Sequence, residues 1–273
     1  MALLHLNFES QYLKINTDVN IILPDKPRSF TPAEFYGGKR KYPVLWLLHG
    51  TFGDYTDWIR KSNIELYACE RDVIVVMPSA QNSNYLNWEK GFGMGYDMWS
   101  YLTEELMPLI YNWLPASDKR EDNFIAGLSM GGGGTIQYAV GHPEKFAAAA
   151  ILSSAPGNVR QLIADGEVVA RAQALIDHMG GPENYLASPA NTWDALPELV
   201  KKGKLPRLYF TCGKEDFLFD RYEKFKAYAE KIGLDAMFEE YDDYKHEWRF
   251  WDLTIQKALD FFGLPNKNAG NAF

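Results

Sequence analysis

Cysteine is nearly absent from this 273-residue chain: only Cys69 and Cys212 occur, without the paired spacing of a metal site. Two thiols in a chain this long do not make a disulfide framework, so both are expected as buried thiols and no metal is expected. Positive charge is also short, with 28 Lys and Arg against 36 Asp and Glu and a net charge of −8. Nucleic acids and anionic membranes require concentrated basic residues, so neither is an expected partner, and an anionic substrate is weakly disfavoured. No apolar run approaches the ~20 residues that cross a bilayer. The opening Met1-Ala2-Leu3-Leu4-His5-Leu6-Asn7 lacks the basic-then-apolar order of a leader, which makes the cytoplasm the expected location. Internal repeats and low-complexity segments are missing too.

What the chain does carry is apolar material, 47% hydrophobic and 15% aromatic residues, enough for a sizeable core. One α/β domain spanning 1–273 is expected, with an insertion at 157–205. Residues Leu3 to Ser10 and Tyr12 to Leu23 alternate apolar and polar side chains, as an antiparallel hairpin does. The continuous runs Tyr42 to Leu48 and Val73 to Pro78 suit strands buried on both faces. Helical patterning covers Trp58 to Glu70 and Asp97 to Trp113. Later, Ala147 to Ser153 could be helix on propensity, but its place after Pro143 and before Pro156-Gly157 favours a strand. Strands are also expected at Arg207 to Cys212 and Ala236 to Tyr241, and helices at Tyr222 to Ile232 and Phe250 to Phe262, with a frayed tail from Asn266. Between Gly157 and Leu205 no buried strand is evident, only helix-like patches and prolines, which reads as a cap over the carboxyl edge of the sheet.

The stretch Asn123-Phe124-Ile125-Ala126-Gly127-Leu128-Ser129-Met130-Gly131-Gly132-Gly133-Gly134 runs an apolar strand into a serine boxed by glycines. Gly-x-Ser-x-Gly suits a sharp strand-to-helix turn that lifts the hydroxyl above the sheet edge, at a helix N-terminus that favours developing negative charge. A serine hydroxyl needs a base, and the base needs a group to fix its tautomer. Of five histidines, His246 follows the last expected strand by a short loop and so lies at the edge that carries Ser129, whereas His5, His142 and His178 have simple structural explanations. For the acid, Asp216 in Gly213-Lys214-Glu215-Asp216 is the choice, with Asp220, Asp242, Asp243 and Glu215 as competitors. Two donors are needed for an oxyanion: the backbone N–H of Met130, and one from the loop after the Tyr42 to Leu48 strand, from Thr51 or alternatively Phe52. His49 is expected to shape that loop rather than to titrate.

Together, Leu48-His49-Gly50-Thr51, Gly127-Leu128-Ser129-Met130-Gly131-Gly132, Gly213-Lys214-Glu215-Asp216-Phe217-Leu218 and His246-Glu247-Trp248 resemble the esterase D and tributyrin esterase group of α/β-hydrolases, relatives of S-formylglutathione hydrolases, feruloyl esterases and mycolyltransferases. The resemblance spans about Leu6 to Phe262. It implies a mostly parallel sheet with helices on both faces, Ser129 as nucleophile, Asp216 as acid, His246 as base, and oxyanion donors at Thr51 and Met130. It also implies hydrolysis of short-chain acyl esters through an acyl-enzyme, without a cofactor. The alternatives are a feruloyl or acetyl esterase acting on plant cell-wall or sugar esters, and an S-formylglutathione hydrolase-like thioesterase or acyltransferase. For the substrate pocket, the aromatic and glycine-rich segment Asn84 to Tyr96, with Trp88 and Phe92, and the Phe217 to Phe219 stretch with Trp193 are the expected walls. The four consecutive glycines, Gly131 to Gly134, exceed what the turn requires. Oligomeric state is left open, a homo-oligomer included.

Overall fold

The computed structural model describes residues 2–27, 29–89, 96–264 and 266, with the side chain of residue 171 excepted. Its strands, in chain order, are β1 (Ala2–Ser10), β2 (Ile15–Leu23), β3 (Val44–Leu48), β4 (Ile74–Pro78), β5 (Asn87–Trp88), β6 (Tyr96–Asp97), β7 (Asn123–Leu128), β8 (Ala148–Leu152), β9 (Arg207–Gly213) and β10 (Ala236–Tyr241). β5 and β6 form a separate two-stranded ribbon; the other eight make one sheet in the order β1-β2-β4-β3-β7-β8-β9-β10. The hairpin β1–β2 and the β2–β4 pair are antiparallel, and every pair from β4 to β10 is parallel.

The apolar runs explain this arrangement. Every residue of β3, β4, β7 and β8 is buried, so these strands need cover on both faces. Alternation along β3 divides the core in two. Val44, Trp46 and Leu48 meet Tyr101, Leu106, Ile136 and Phe225 on one face, while Leu45 and Leu47 meet Trp58, Tyr67, Trp251 and Ile255 on the other. Helices therefore lie on both sides of the sheet. Among the described residues, no helix is long and apolar enough to cross a membrane; Cys212 is buried and Cys69 half-buried.

Two helices depart from the pattern. The expected helix from Trp58 to Glu70 is two, Asp57–Lys61 and Ile64–Arg71, because Ser62 is extended and its hydroxyl accepts the Ile64 N–H. Such local side-chain bonding competes with helix continuation. The long helix through Trp113 begins at Met98 and widens to a π segment at Tyr101–Leu106, just before Pro108, which has no N–H to return to the preceding turn. The tail expected to fray lies, except for Asn266, outside the described residues.

Residues 157–205 hold helices Val159–Asp165, Ala170–His178, Pro182–Ala187 and Thr192–Lys202 and no strand. They build a small core of their own in which Leu86 packs with Val159, Ile176, Met179 and Tyr185. Because the strands from β4 to β10 are parallel, the loops after β3, β4, β7, β8, β9 and β10 emerge at one edge, the carboxyl edge where open α/β sheets gather their functional side chains.

Candidate active site

Ser129 lies between β7 and the helix Met130–Gly141 with φ 53° and ψ −115°, a conformation that few side chains tolerate. What holds it is the packing of strand against helix. Its N–H donates to Leu152 O on β8 (2.9 Å), and its carbonyl accepts the Gly133 N–H (3.0 Å). A Cβ on Gly131 would stand 2.5 Å from the carbonyl oxygens of Leu48 and His49, so only glycine lets the helix start against the end of β3. The later glycines have a separate reason: a Cβ on Gly134 would be 2.6 Å from the Tyr85 ring, whereas Gly133 faces only Ser154 Oγ at 3.9 Å.

Asp216 leaves the turn after β9 with its side chain buried, and its Oδ1 accepts the Leu218 N–H at 2.9 Å. Its Oδ2 lies 2.8 Å from His246 Nδ1, in the loop after β10. A carboxylate only accepts, so Nδ1 carries the proton and Nε2 keeps its lone pair. The imidazole is held between the Phe217 ring (4.6 Å between centroids) and the Trp251 ring (4.9 Å, nearly perpendicular). Trp251 in turn donates from Nε1 to Ser153 Oγ at the end of β8. Among the described residues no hydrogen bond joins Ser129 Oγ to His246, a contact that often tightens only once substrate is bound. Of the competing acids, Asp242 pairs with Lys214 (2.8 Å) and Glu215 with Lys245 (3.7 Å), while Asp220, in the first turn of the helix Phe219–Ile232, and Asp243, in the loop after β10, are exposed.

The loop after β3 is braced by His49. Ala80 N–H donates to its Nε2 (2.9 Å) and its Nδ1–H donates to Gly50 O (2.7 Å), while its own carbonyl accepts the Tyr85 hydroxyl (3.0 Å). Burial pushes the His49 pKa below its ordinary value, and both ring nitrogens are spent on backbone. The imidazole is a neutral strut. Phe52 takes a positive φ of 63° and gives its N–H to Asn82 Oδ1 (2.9 Å), which weighs against it as the second donor.

Two cavities open here. One of about 360 Å³ is lined by Ser129, Met130, Ile136, Ser154, Phe217 and residues of 157–205 such as Leu175. The other, about 290 Å³, is lined by Thr51, Phe52, Asn82, Trp88 and His178, and shares Asn84 and Leu175 with the first. Trp88 stacks flat on His178 (4.0 Å, 3°) and bonds Ser83 O through Nε1. Not all of the expected walls hold. Tyr85 and Leu86 are buried in the core, and Trp193 stacks on Tyr228 (3.9 Å) away from both cavities, because indole and phenol rings bury more apolar area there. Phe219 stacks on Tyr222 instead (6.0 Å). Phe92 lies outside the described residues. Sequence reasoning missed Asn82 and Trp251, and also Gln137, which lines the Ser129 cavity. Of these only Trp251 left a trace, as part of the aromatic cluster just after His246.

A parallel sheet with two helical layers, a strained serine at a strand-to-helix turn and an Asp–His pair on the same edge define the α/β-hydrolase class of serine hydrolases. The chain matches the model of the Esterase family over residues 10–262. It is 31% identical over 276 residues to an acetyl esterase of Caldicellulosiruptor saccharolyticus, covering 96% of this chain and 98% of that protein. Among solved structures it resembles FphF, a fluorophosphonate-binding serine hydrolase of Staphylococcus aureus (TM-score 0.81, 30% identity), and the S-formylglutathione hydrolase FrmB of the same organism (TM-score 0.79, 29% identity); each comparison covers 96% of this chain and 98% of the other. The chain belongs to the Esterase family and is a serine hydrolase of carboxylic esters with the α/β-hydrolase fold.

Proposed function

We propose that this enzyme cleaves short-chain acyl esters through an acyl-enzyme, with Ser129 as nucleophile, His246 as base and Asp216 as the group that orients the base. The observation that carries the reading is the Asp216–His246 hydrogen bond at the sheet edge that also bears the strained Ser129. His246 Nε2 takes the proton as Ser129 Oγ attacks the carbonyl carbon and then returns it to the departing alcohol; a water repeats the sequence and frees the acid. Backbone N–H groups of Met130 and Thr51 receive the oxyanion, each worth ~3 kcal/mol of barrier. The cavity walls fit the roles of Trp88 and Phe217 as substrate contacts, and residues 157–205 act as a cap on a single domain. Similarity to an acetyl esterase favours a small acyl group. Similarity to an S-formylglutathione hydrolase supports a second reading, cleavage of small thioesters.

The test is hydrolysis of p-nitrophenyl acetate, butyrate and longer esters, and of matched thioesters, by the wild type and Ser129→Ala. At least a ~10³-fold loss of kcat in the variant is expected. Undiminished turnover would end the assignment.

A further inference from the structure

The cavity that contains Ser129 also contains Arg221, the only charged residue among the described ones lining it. Arg221 belongs to the first turn of the helix Phe219–Ile232, five residues past Asp216. Its guanidinium packs on Gly157: a Cβ there would lie 3.0 Å from Nη2 and 3.1 Å from both Cζ and Nε. Glycine at 157 therefore makes room for the group and helps to fix it. A guanidinium carries five N–H donors, yet among the described residues Arg221 donates no hydrogen bond and forms no ion pair, in a chain with 36 acidic residues. The residue is exposed, so water reaches it at the mouth of the cavity. Protein packed around part of it pushes its pKa down, Tyr185 acting the other way. Its donors, unpaired among the described residues, are therefore available to an acceptor that enters the cavity.

We propose that Arg221 anchors a carboxylate on the substrate: the ester arm that occupies this cavity ends in a carboxylate held by the guanidinium in a two-point contact. The proposal rests on Ser129 as nucleophile and names the substrate class, half-esters of dicarboxylic acids or esters of hydroxy acids. One unpaired positive charge balances one carboxylate; a phosphate dianion would need a second cation, and among the described side chains no lysine or other arginine lines the cavity. The remaining wall is largely apolar, with Ile136, Val159, Leu162 and Leu175, which suits a methylene chain between ester and carboxylate. The net charge of −8 weighs against anionic substrates at long range, but the charged side chain described in the cavity wall has the opposite sign.

The experiment compares kcat/KM for two matched pairs, p-nitrophenyl hydrogen glutarate against p-nitrophenyl hexanoate, and 4-acetoxybutyrate against propyl acetate, in the wild type, Arg221→Gln and Arg221→Lys. Folding of each variant is checked by thermal melting. In at least one pair the anionic-to-neutral ratio is expected to fall about tenfold or more in Arg221→Gln, through KM, with part of it kept in Arg221→Lys. Ratios unchanged in both pairs overturn the proposal. If the wild type cleaves none of the esters, the nucleophile assignment fails instead. Calorimetric titration with methyl hydrogen glutarate then decides the anion site: binding lost in Arg221→Gln supports it, and equal binding or none overturns it.

Discussion

Asp216 Oδ2 and His246 Nδ1 stand 2.8 Å apart although 30 positions separate them in the chain. The contact exists because β9 and β10 are parallel neighbours, with Gly213 paired to Tyr241, so the loops that follow them leave side by side. A Cβ on Gly213 would come 2.2 Å from Tyr244 O, which shows how closely those loops pass.

Asp216→Asn is expected to fold normally, since an amide oxygen can still accept the Leu218 N–H. Its NH₂ can face His246 Nδ1, which then holds the lone pair and leaves the proton on Nε2, the nitrogen that must accept from Ser129. Loss of kcat for p-nitrophenyl acetate of about 10³- to 10⁴-fold is expected. Steady-state rates beside a circular dichroism melt measure it, and a loss under tenfold would remove Asp216 from the mechanism.

Gly131→Ala should destabilise the fold by roughly 1–3 kcal/mol or more, because the new methyl meets backbone oxygens of Leu48 and His49 at 2.5 Å that cannot move aside cheaply. Gly133→Ala, with nothing nearer than Ser154 Oγ at 3.9 Å, should be neutral or stabilising by up to about 1 kcal/mol through helix propensity. Urea denaturation of the pair tests the contrast. Equal effects would mean that the glycine run serves flexibility and not close approach.

His49 supplies a pH dependence of stability. Its folded-state pKa lies below the ordinary imidazole value of 6.5, so on acidification the unfolded chain takes up a proton before the folded one does. Stability therefore declines as pH falls below about 6.5, from this group alone. Melting temperatures between pH 8 and pH 5 should show a drop that is shallower in His49→Gln, although that variant is less stable at neutral pH. Parallel profiles for the two proteins would refute the contribution.

Phe217 is 75% exposed while its ring covers His246. Truncation to alanine removes little buried area, so stability should change by no more than about 0.5 kcal/mol. KM for aryl esters should nevertheless rise several-fold, as the cavity loses one wall and the imidazole one neighbour. An unaltered KM across acetate, butyrate and aryl esters would leave the ring without a part in binding.

The local pattern already determined much of this protein. Unbroken apolar runs cannot face water, so Val44–Leu48 reads as a buried strand, while the alanine-rich Ala148–Leu152 takes its strand reading from its place between Pro143 and Pro156. Serine between glycines after an apolar run marks a sharp turn. The order of serine, acid and histidine along the chain and their placement in loops after strands were legible for the same reason. Only the tertiary structure decided which aromatic residues face substrate. Tyr85, Leu86 and Trp193 read as pocket walls and are spent on packing, because burial depends on what lies across the sheet and not on neighbours in sequence. The fold alone also decided that Gly134 meets Tyr85, that both nitrogens of His49 are tied to backbone, and that Arg221 shares a cavity with Ser129 without an acid beside it. Each is a contact between distant segments, set by which helix crosses which strand end, and no local periodicity records it.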